Sequence, residues 1–474
     1  MRFGILLTRL LTDDSLFALS ASGKYHWPMD RDRHIKSVSF KTLGCKLNQS
    51  ETDAIMAKFK EHAYDVQPFG EEVDLTIINT CTVTNDADSK SRATIRRAIR
   101  NSPGGRVVVT GCYAQVKPED IQAIQGVDLI LGNDEKYHIF DHLDKLKQRK
   151  LEEPLIIVND EGDFASVSED GFISATSRTR AFLKIQEGCD YYCSYCIIPF
   201  ARGKARSRPF QETIDEARKL VDQGYREIVL TGINIGTYQA PDTMQNLTEL
   251  LAALERLEGL DRVRVSSIEP NTVTDDLLHL MAESKVICHH LHIPLQSAND
   301  DQLSAMNRKY HLDDYTRLMA RFRSILPDAA LGTDVIVGFP GETEEHFERT
   351  MAFIQEQPFT YLHIFRYSPR EGTVAAKLED PVPFHEIKRR SAVLHEVGQK
   401  LKSAYAENFS GQVLNVLFDQ FQNGMASGYT RNYLRVQVPV TDDISQSILP
   451  VTLNHSVRGN FQGSLATESV VEVR

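Results

Sequence analysis

The sequence lacks three features that would by themselves assign a broad class. None of its apolar runs approaches the roughly 18 uninterrupted residues that a membrane helix needs, so we expect no membrane partner. Its 7 cysteines in 474 residues do not form a disulfide framework, which favours a reducing compartment and a cytoplasmic location. A basic balance is missing as well, since the formal net charge is −11. This charge argues against general affinity for nucleic acid, although a local basic surface can still bind RNA.

What is present is the composition of a globular protein: 41% of residues are apolar, 25% are charged and the mean hydropathy is −0.31. The length predicts two or three domains. Near the amino terminus a short apolar segment is interrupted by Arg9 and followed by Asp13 and Asp14, which suits neither a secretory signal nor a transit peptide. We expect residues 1–35 to be a disordered extension, or translation to begin at Met29.

Residues 36–150 alternate strand and helix signals, which predicts a doubly wound α/β domain. Strands are expected at 37–43, 74–79 and 106–110, and helices at 51–61 and 86–100. Cys45, Cys81 and Cys112 each follow one of these strands within two residues. Because the carboxyl ends of parallel strands meet at one edge of a sheet, we expect the three thiols to converge there.

Two further domains are predicted beyond an acidic, polar linker at 151–176. Repeated strand–helix units over 177–408 fit a complete or partial (β/α) barrel, with strands at 228–230, 263–267, 290–294 and 331–337. Residues 409–474 contain short strands at 413–418, 434–438 and 470–473 separated by Gly, Asn and Asp, which predicts a small β-barrel.

The sharpest chemical signal is the run Cys189-Asp-Tyr-Tyr-Cys193-Ser-Tyr-Cys196. Three thiolates on one short loop can bind three irons of a four-iron cluster and leave the fourth iron open for a small molecule. The alternative is a zinc knuckle, which needs a fourth Cys or His nearby, and no His follows within 40 residues. The sequence therefore favours an iron–sulfur cluster over zinc.

This spacing, with Tyr195 just before the last cysteine, resembles the radical S-adenosylmethionine (SAM) superfamily. The resemblance implies that the open iron chelates SAM and that cluster and cofactor together supply a 5′-deoxyadenosyl radical. By the same resemblance, Tyr195, Gly232, Asn234, Gln296, Arg308 and Asp334 are candidate SAM-binding residues. Each of these positions is also compatible with simple loop packing.

From about residue 36 onward the chain resembles the methylthiotransferase family, and most closely its MtaB type. The family implies an amino-terminal cluster domain, a radical SAM domain and a carboxy-terminal TRAM barrel. It also implies two [4Fe–4S] clusters, the first held by Cys45, Cys81 and Cys112 and the second by Cys189, Cys193 and Cys196. The motifs that carry the resemblance are Thr42-Leu-Gly-Cys-Lys-Leu-Asn48, Asn79-Thr-Cys-Thr-Val83, Val109-Thr-Gly-Cys-Tyr-Ala-Gln115, Gln186-Glu-Gly-Cys189, His290-Leu-His-Ile-Pro-Leu-Gln-Ser297 and Thr333-Asp-Val-Ile-Val-Gly-Phe-Pro-Gly-Glu342.

The MtaB resemblance implies 2-methylthiolation of threonylcarbamoyl-adenosine beside the tRNA anticodon, with SAM as methyl donor and as radical source. The implied partners are a tRNA anticodon stem-loop, an electron donor and a sulfur source. Arg202, Lys204 and Arg206 form a basic run after the cluster loop that either contacts phosphate or is a solvated face. Tyr429, Arg431 and Tyr433 either bind a splayed base or pack the barrel.

Three other functions stay open from the sequence. The same chemistry can act on isopentenyl-adenosine in tRNA or on a ribosomal-protein aspartate. A cluster-bearing protein can instead bind RNA without catalysis, and the cysteines can hold structural zinc.

Overall fold

A computed structural model describes residues 35–147, 153–159 and 179–466 of the chain. Of the predicted extension at 1–35, the structure describes Ile35 alone. The predicted strand at 470–473 lies outside the described residues. None of the helices in the described ranges has both the length and the apolar character needed to cross a membrane.

The amino-terminal domain is a parallel sheet of six strands in the order β2-β1-β3-β4-β5-β6, with helices on both faces. Separate apolar cores fill the two faces, one under α1 and α5 and the other under α2, α3 and α4. The predicted doubly wound α/β class is confirmed. The elements are β1 (Ser37–Thr42), α1 (Lys46–Glu61), β2 (Asp65–Gln67), β3 (Leu75–Thr80), α2 (Asn85–Asn101), β4 (Arg106–Gly111), α3 (Cys112–Val116), α4 (Pro118–Gln122), β5 (Leu129–Leu131), α5 (Phe140–Lys147) and β6 (Leu155–Ile157).

The predicted linker at 151–176 begins too early. Leu155–Ile157 pairs with β5 as the edge strand of the sheet, so the domain continues past residue 150. The four apolar residues at 155–158, between Pro154 and Asn159, are too short a run to be recognised as a strand from the sequence. The remainder of the predicted linker, from residue 160, lies outside the described residues.

The central domain is a partial barrel of six parallel strands that runs β7-β10-β11-β12-β13-β14. Its two three-stranded sheets join where isolated parallel bridges link Val263 to Ile287 and Ser267 to His292. Between β7 and β14 no pairing occurs among the described residues, so the barrel is open there, as a partial barrel requires. Its strands are β7 (Arg180–Lys184), β10 (Glu227–Thr231), β11 (Arg262–Val265), β12 (His290–His292), β13 (Ala330–Val337) and β14 (Tyr361–Arg366), and a short hairpin of β8 (Gln186–Glu187) and β9 (Arg206–Ser207) lies between β7 and β10.

Helices cover the outside of this barrel, and one large apolar core lies between them and the strands. Their starts are set by local caps: Asn246 and Thr343 accept hydrogen bonds from backbone N–H groups of α8 and α12, and Thr274 does so for α9. The helices are α6 (Ile198–Arg202), α7 (Phe210–Asp222), α8 (Leu247–Leu254), α9 (Asp275–Glu283), α10 (Asp300–Ala305), α11 (Leu312–Ile325), α12 (Glu344–Glu356) and α13 (Phe384–Glu407).

The carboxy-terminal domain is a closed barrel of five strands in the order β15-β16-β17-β19-β18. Closure leaves no free sheet edge, and the alternation of buried and exposed residues along β17 is typical of such a barrel. The predicted small β-barrel is confirmed. Its strands are β15 (Val413–Gln422), β16 (Met425–Thr430), β17 (Arg435–Pro439), β18 (Ile448–Val457) and β19 (Asn460–Leu465).

Candidate two-cluster active site

The first cysteine triad lies at the carboxyl edge of the amino-terminal sheet. Cys45 is the N-cap of α1, Cys81 directly follows β3, and Cys112 begins α3 directly after β4. The thiols lie close enough for the charge of Cys112 to raise the pKa of both Cys45 and Cys81, although burial is the larger cause. Burial and these neighbours raise the pKa of Cys81 to about 12. The predicted convergence of the three thiols is therefore observed, while their role as ligands stays a prediction.

Two glycines make this convergence possible. Gly44 has a φ of +99°, and a Cβ at this position would lie 2.7 Å from Cβ and 3.0 Å from Sγ of Cys81. Gly111 has a φ of +94°, and a Cβ there would overlap the side-chain oxygen of Asn79 and the carbonyl of Thr80. Both glycines combine the left-handed conformation with a close approach between strand ends, which other residues tolerate poorly.

A fully buried ion network lies beside this triad. Arg202 at the end of α6 donates hydrogen bonds to Glu51 at 2.7 Å, Glu187 at 2.6 Å and Asn48 at 2.7 Å, and Lys136 pairs with Glu51 at 2.8 Å. Lys184 pairs with Glu187. The network joins the amino-terminal domain, through Glu51 and Lys136, to the central domain.

This network contains three cations and two carboxylates, so one positive charge is left over. Burial lowers the pKa of Arg202, but the charges of Cys112 and Glu51 raise it and prevail. The positive charge of the network therefore lies close to Cys112 of the first triad. Buried charge of one sign is stable only beside charge of the other sign. The excess positive charge fits an anionic group on Cys45 and Cys112, as thiolates bound to iron provide.

The prediction that Arg202 contacts RNA is wrong. Its side chain is 0% exposed and all its described partners lie in the ion network. The sequence could not separate it from the rest of the basic run, because Glu51, one of the carboxylates that bind it, lies 151 positions away in the chain. Lys204 is exposed, and Arg206 is half-buried, with its guanidinium 3.9 Å from Glu187.

The second triad lies on the loop between β8 and α6. The backbone N–H of Cys189 donates to the carbonyl of Gly203, and that of Cys196 donates to the carbonyl of Cys193, which folds the loop on itself. Burial and the neighbouring thiols raise the pKa of Cys189 to about 11 and of Cys196 to about 12. Closely spaced cysteines on one loop are typical of a metal-binding site.

The spacing of the sulfurs bears on the choice between zinc and an iron cluster. In the described ranges, one set of three potential ligand atoms lies within 4.8 Å of one another, and it consists of His292, Asp334 and His363. A tetrahedral zinc ion, with Zn–S bonds of about 2.3 Å, holds its sulfurs about 3.8 Å apart. Neither cysteine triad is that compact, so the wider separation favours a multi-iron cluster.

Arg308 connects the second triad to a buried carboxylate. Its Nη1 donates to Sγ of Cys193 at 3.2 Å, and its Nη2 pairs with Glu269. Tyr195 packs beside the same loop against Met306 and Phe339. Arg308 and Tyr195 therefore lie beside the cysteines, and Glu269 is a residue that the sequence reasoning missed.

The remaining candidate SAM residues lie at strand ends of the central barrel. Side-chain oxygens of Asn234 and Gln296 are buried and accept no hydrogen bond from the described residues. Gln186 orders the loop at Gly232, because its Oε1 accepts from the N–H groups of Ile233 and Asn234, both at 2.9 Å. Buried oxygens without donors fit a polar ligand such as SAM. Gln186 itself was missed, although it lies in the motif Gln186-Glu-Gly-Cys189.

Asp334 has a different environment from the one that SAM binding predicts. Nε2 of His292 lies 2.7 Å and Nδ1 of His363 lies 3.3 Å from its Oδ1. Burial raises the pKa of Asp334, but the hydrogen bonds from the two imidazoles outweigh it and hold that pKa well below its usual range. The described contacts of this carboxylate are thus with β12 and β14.

Aromatic residues of the carboxy-terminal barrel meet the central domain. The rings of Tyr429 and Tyr433 stack with centroids 5.0 Å apart, and both line a cavity of about 480 Å³ between the two domains. Arg431 has a different role from the predicted RNA contact: its Nη2 donates to the carbonyls of Ser284 and Ile287, at 2.8 and 2.7 Å. That side chain fastens the barrel to the central domain.

Two family models match the chain: "Uncharacterized protein family UPF0004" at residues 37–132 and "Radical SAM superfamily" at residues 183–354. A Bacillus subtilis protein named threonylcarbamoyladenosine tRNA methylthiotransferase MtaB is 42% identical over 88% of this chain and 93% of its own length. The Thermotoga maritima protein of the same name is 37% identical over 85% and 91%. A tRNA-2-methylthio-N(6)-dimethylallyladenosine synthase from Endomicrobium trichonymphae is 34% identical over 83% and 91%.

Among solved structures, the radical SAM methyltransferase TsrM from Kitasatospora setae, with tryptophan and a SAM analogue bound, matches with a TM-score of 0.50. The match covers 70% of this chain and 73% of that one at 15% identity. At this identity the likeness concerns the fold alone.

Proposed function

The chain belongs to the radical SAM methylthiotransferases, and on this basis we propose that it converts threonylcarbamoyl-adenosine in tRNA, beside the anticodon, to its 2-methylthio derivative. The family uses SAM and two [4Fe–4S] clusters. Support for the substrate comes from the two relatives of 42% and 37% identity that carry the MtaB name.

One observation carries the two-cluster chemistry. Helix α3, which begins with Cys112, packs against α6, which begins two residues after Cys196. The ion network around Arg202 also joins α6 to α1, the helix that begins directly after Cys45. This packing brings both cysteine triads to one interface between domains, as a reaction that needs both clusters requires.

We assign Cys45, Cys81 and Cys112 to the auxiliary cluster and Cys189, Cys193 and Cys196 to the SAM-binding cluster. When bound, the clusters and SAM supply the radical that removes hydrogen from the adenine carbon and the methylthio group that replaces it. Arg308 positions Cys193 through its hydrogen bond to Sγ, and Gln186 orders the loop of Gly232 and Asn234 beside the SAM site. Tyr195, which belongs to the cysteine loop, packs against the apolar cluster of Met306 and Phe339 and so anchors the loop to the barrel.

We propose the anticodon stem-loop of a tRNA as the macromolecular partner, with an electron donor and a sulfur source as further partners. Lys204 and Arg206 lie beside the cysteine loop, and Tyr429 and Tyr433 line the cavity between domains, so these side chains are proposed RNA contacts. A tRNA substrate and unpaired thiols are consistent with the cytoplasm as the compartment.

Mass spectrometry of tRNA nucleosides tests this function. We expect 2-methylthio-threonylcarbamoyl-adenosine to disappear from cells that lack the gene and to return with the wild-type chain. Cys81→Ala and Cys193→Ala should each fail to restore it. Cys288→Ala is the matched control, because Cys288 is buried and belongs to neither triad.

Three other results would count against the proposal. An unchanged nucleoside profile would remove threonylcarbamoyl-adenosine as the substrate, and ribosomal proteins would then be examined for added mass. A change confined to the isopentenyl nucleoside would reassign the substrate. Restoration by the Cys81 variant would remove the auxiliary cluster from the reaction.

A further inference from the structure

Lys46 is the first residue of α1, the helix of the amino-terminal domain that packs against β7 of the central barrel. Further along this helix, Glu51 lies 3.9 Å from Lys184 of β7. Arg180, Glu227 and Arg262 are partners across β7, β10 and β11, and therefore lie on one face of that sheet. Ala181, Ile228 and Val263 on the opposite face belong to the apolar core under the helices, so the charged face is the concave one. The charge of Lys46 acts on Arg180, Glu227 and Arg264 on this face, and on His290 of β12.

The ammonium group of Lys46 forms neither a hydrogen bond nor an ion pair with any described residue. Its neighbours are already engaged: Arg264 pairs with Glu227 at 2.8 Å, and Arg180 pairs with Asp419 at 3.2 Å. Lys46 is exposed, so a ligand can reach this cation. An exposed ammonium group whose three donors are not used by the protein is available to bind an anion.

The electrostatics of the lumen favour an anion as well. Cations outnumber carboxylates in this region. The cations are Lys46, Arg180, Arg262 and Arg264, and the carboxylates are Glu227 and Asp419. Tyr433 closes one side of this region, with its ring 4.9 Å from the guanidinium of Arg264. Positive charges that are enclosed by low-dielectric walls produce a strong local electric field, which attracts a small anionic group.

Resting on the proposed function, we propose that Lys46 binds the carboxylate of the threonylcarbamoyl substituent and thereby selects this nucleoside over adenosines that lack a negative charge. Lys46 directly follows Cys45, a proposed ligand of the cluster that provides the sulfur. Lys46 and Cys45 therefore place substrate recognition next to the cluster that provides the sulfur. Arg180, which also lines the 480 Å³ cavity between the central and carboxy-terminal domains, adds positive charge to the subsite.

A phosphate of the RNA backbone has the same charge as the carboxylate, so the test must separate the two sources. Two synthetic anticodon stem-loops serve this purpose, one with threonylcarbamoyl-adenosine and one with adenosine at the same position. Their phosphates are identical. A third stem-loop carries the methyl ester of the substituent, which removes the charge and leaves the wild-type protein unaltered.

Binding of these three RNAs to the anaerobically prepared holoenzyme is measured by fluorescence anisotropy. Wild type should prefer the charged nucleoside to its methyl ester and to adenosine by at least about tenfold, the value of a charge-assisted hydrogen bond. Lys46→Met should remove that preference by weakening only the first RNA, and Lys46→Arg should retain part of it. Lys60→Met is the control, because Lys60 is exposed at the other end of α1, roughly 21 Å away.

Other outcomes overturn the inference. Equal weakening of all three RNAs by Lys46→Met would assign the lysine to phosphate, and unchanged preference would remove it from recognition. Tight binding of the methyl ester by wild type would do the same without any substitution. Product formation by wild type on the first RNA is followed in parallel, so failure of the proposed function is seen separately, as absence of the methylthio product.

Discussion

The guanidinium of Arg308 serves two groups at once, since it hydrogen bonds Sγ of Cys193 and pairs with Glu269. The side chains of Arg308 and Glu269 are 2% and 17% exposed, so the ion pair is largely removed from water. Burial raises the pKa of Glu269, and the charge of Arg308 opposes that effect. A carboxylate in this position depends on its partner to remain ionised.

Replacing Arg308 with methionine should therefore destabilise the protein by about 3 kcal/mol, because Glu269 is left buried without a counter-charge. Denaturant unfolding followed by circular dichroism measures the loss. Arg317→Met is the control, since the Arg317–Asp314 pair is exposed and contributes little. A loss no larger than that of the control would show that the Glu269 carboxylate does not rely on Arg308.

Gly44 offers a second residue-level prediction. Alanine at this position would press on Cys81 and strain a backbone with positive φ, so we expect Gly44→Ala to lose the auxiliary cluster and about half of the bound iron. Reductive cleavage of SAM should continue. Gly104→Ala is the control, because its Cβ would meet nothing within 4 Å. Full iron content in Gly44→Ala would contradict the assignment of Cys81.

At the scale of elements, helices α1 and α6 are joined by the Arg202 network rather than by apolar packing alone. Glu51 on α1 accepts a hydrogen bond from Arg202 and pairs with Lys136. Burial raises the pKa of Glu51, but the charges of these two cations outweigh burial and hold that pKa well below its usual range. The side chains of Glu51, Lys136 and Arg202 are each 0% exposed.

We expect Glu51→Gln to cost about 3–5 kcal/mol, since it raises the buried excess from one positive charge to two. The thermal unfolding midpoint is the measurement. Glu61→Gln, at the exposed end of the same helix, should change stability by less than about 0.5 kcal/mol. Equal midpoints for the two variants would mean that the network does not hold the domains together.

The sequence was sufficient for elements with a strong periodic pattern and insufficient for those fixed by distant partners. Continuous apolar runs such as Val107–Val109 predicted β4, and the strand ends then predicted the position of the cysteines. Helix α1 begins at Lys46, five residues before its predicted start, because Asn48 is held by the carbonyls of Leu43 and Thr80. Contacts of this kind leave no local pattern.

The same limit applies to the candidate site. The spacing of Cys189, Cys193 and Cys196 is local, so the sequence displays it directly. Glu51, which binds Arg202, lies 151 positions away in the chain, and Arg431 binds backbone carbonyls, so both arginines were assigned to RNA. Sequence position alone cannot tell a solvated arginine from a buried one.

At the scale of the whole molecule, the carboxy-terminal barrel is attached through arginines that donate to backbone carbonyls. Arg262 of the central domain donates to the carbonyls of Tyr429 and Asn415, both at 2.8 Å. In the opposite direction, Arg431 of the carboxy-terminal barrel donates to the carbonyls of Ser284 and Ile287. These bonds cross the same interface in both directions, so they fix the orientation of the barrel.

Arg431→Met should loosen this interface by about 2–3 kcal/mol, because two charge-assisted hydrogen bonds are lost. Hydrogen–deuterium exchange should become faster in residues 284–288 and in the 425–435 segment, with the core of the central barrel unchanged. Arg458→Met, at an exposed turn of the barrel, is the control. Unaltered exchange would show that Arg431 does not hold the two domains together.

The charged face of the central barrel meets residues of both other domains, because the charge of Lys46 from the first acts on Arg264 and the ring of Tyr433 from the third lies 4.9 Å from the same guanidinium. Selectivity in such a molecule is not modular. A chimaera that takes its central domain from one relative and its flanking domains from another would inherit a lumen assembled from two parents. Engineers who wish to redirect this enzyme to another nucleoside would have to exchange Lys46, the charged face of β7 to β11 and the Tyr429–Tyr433 segment as one unit.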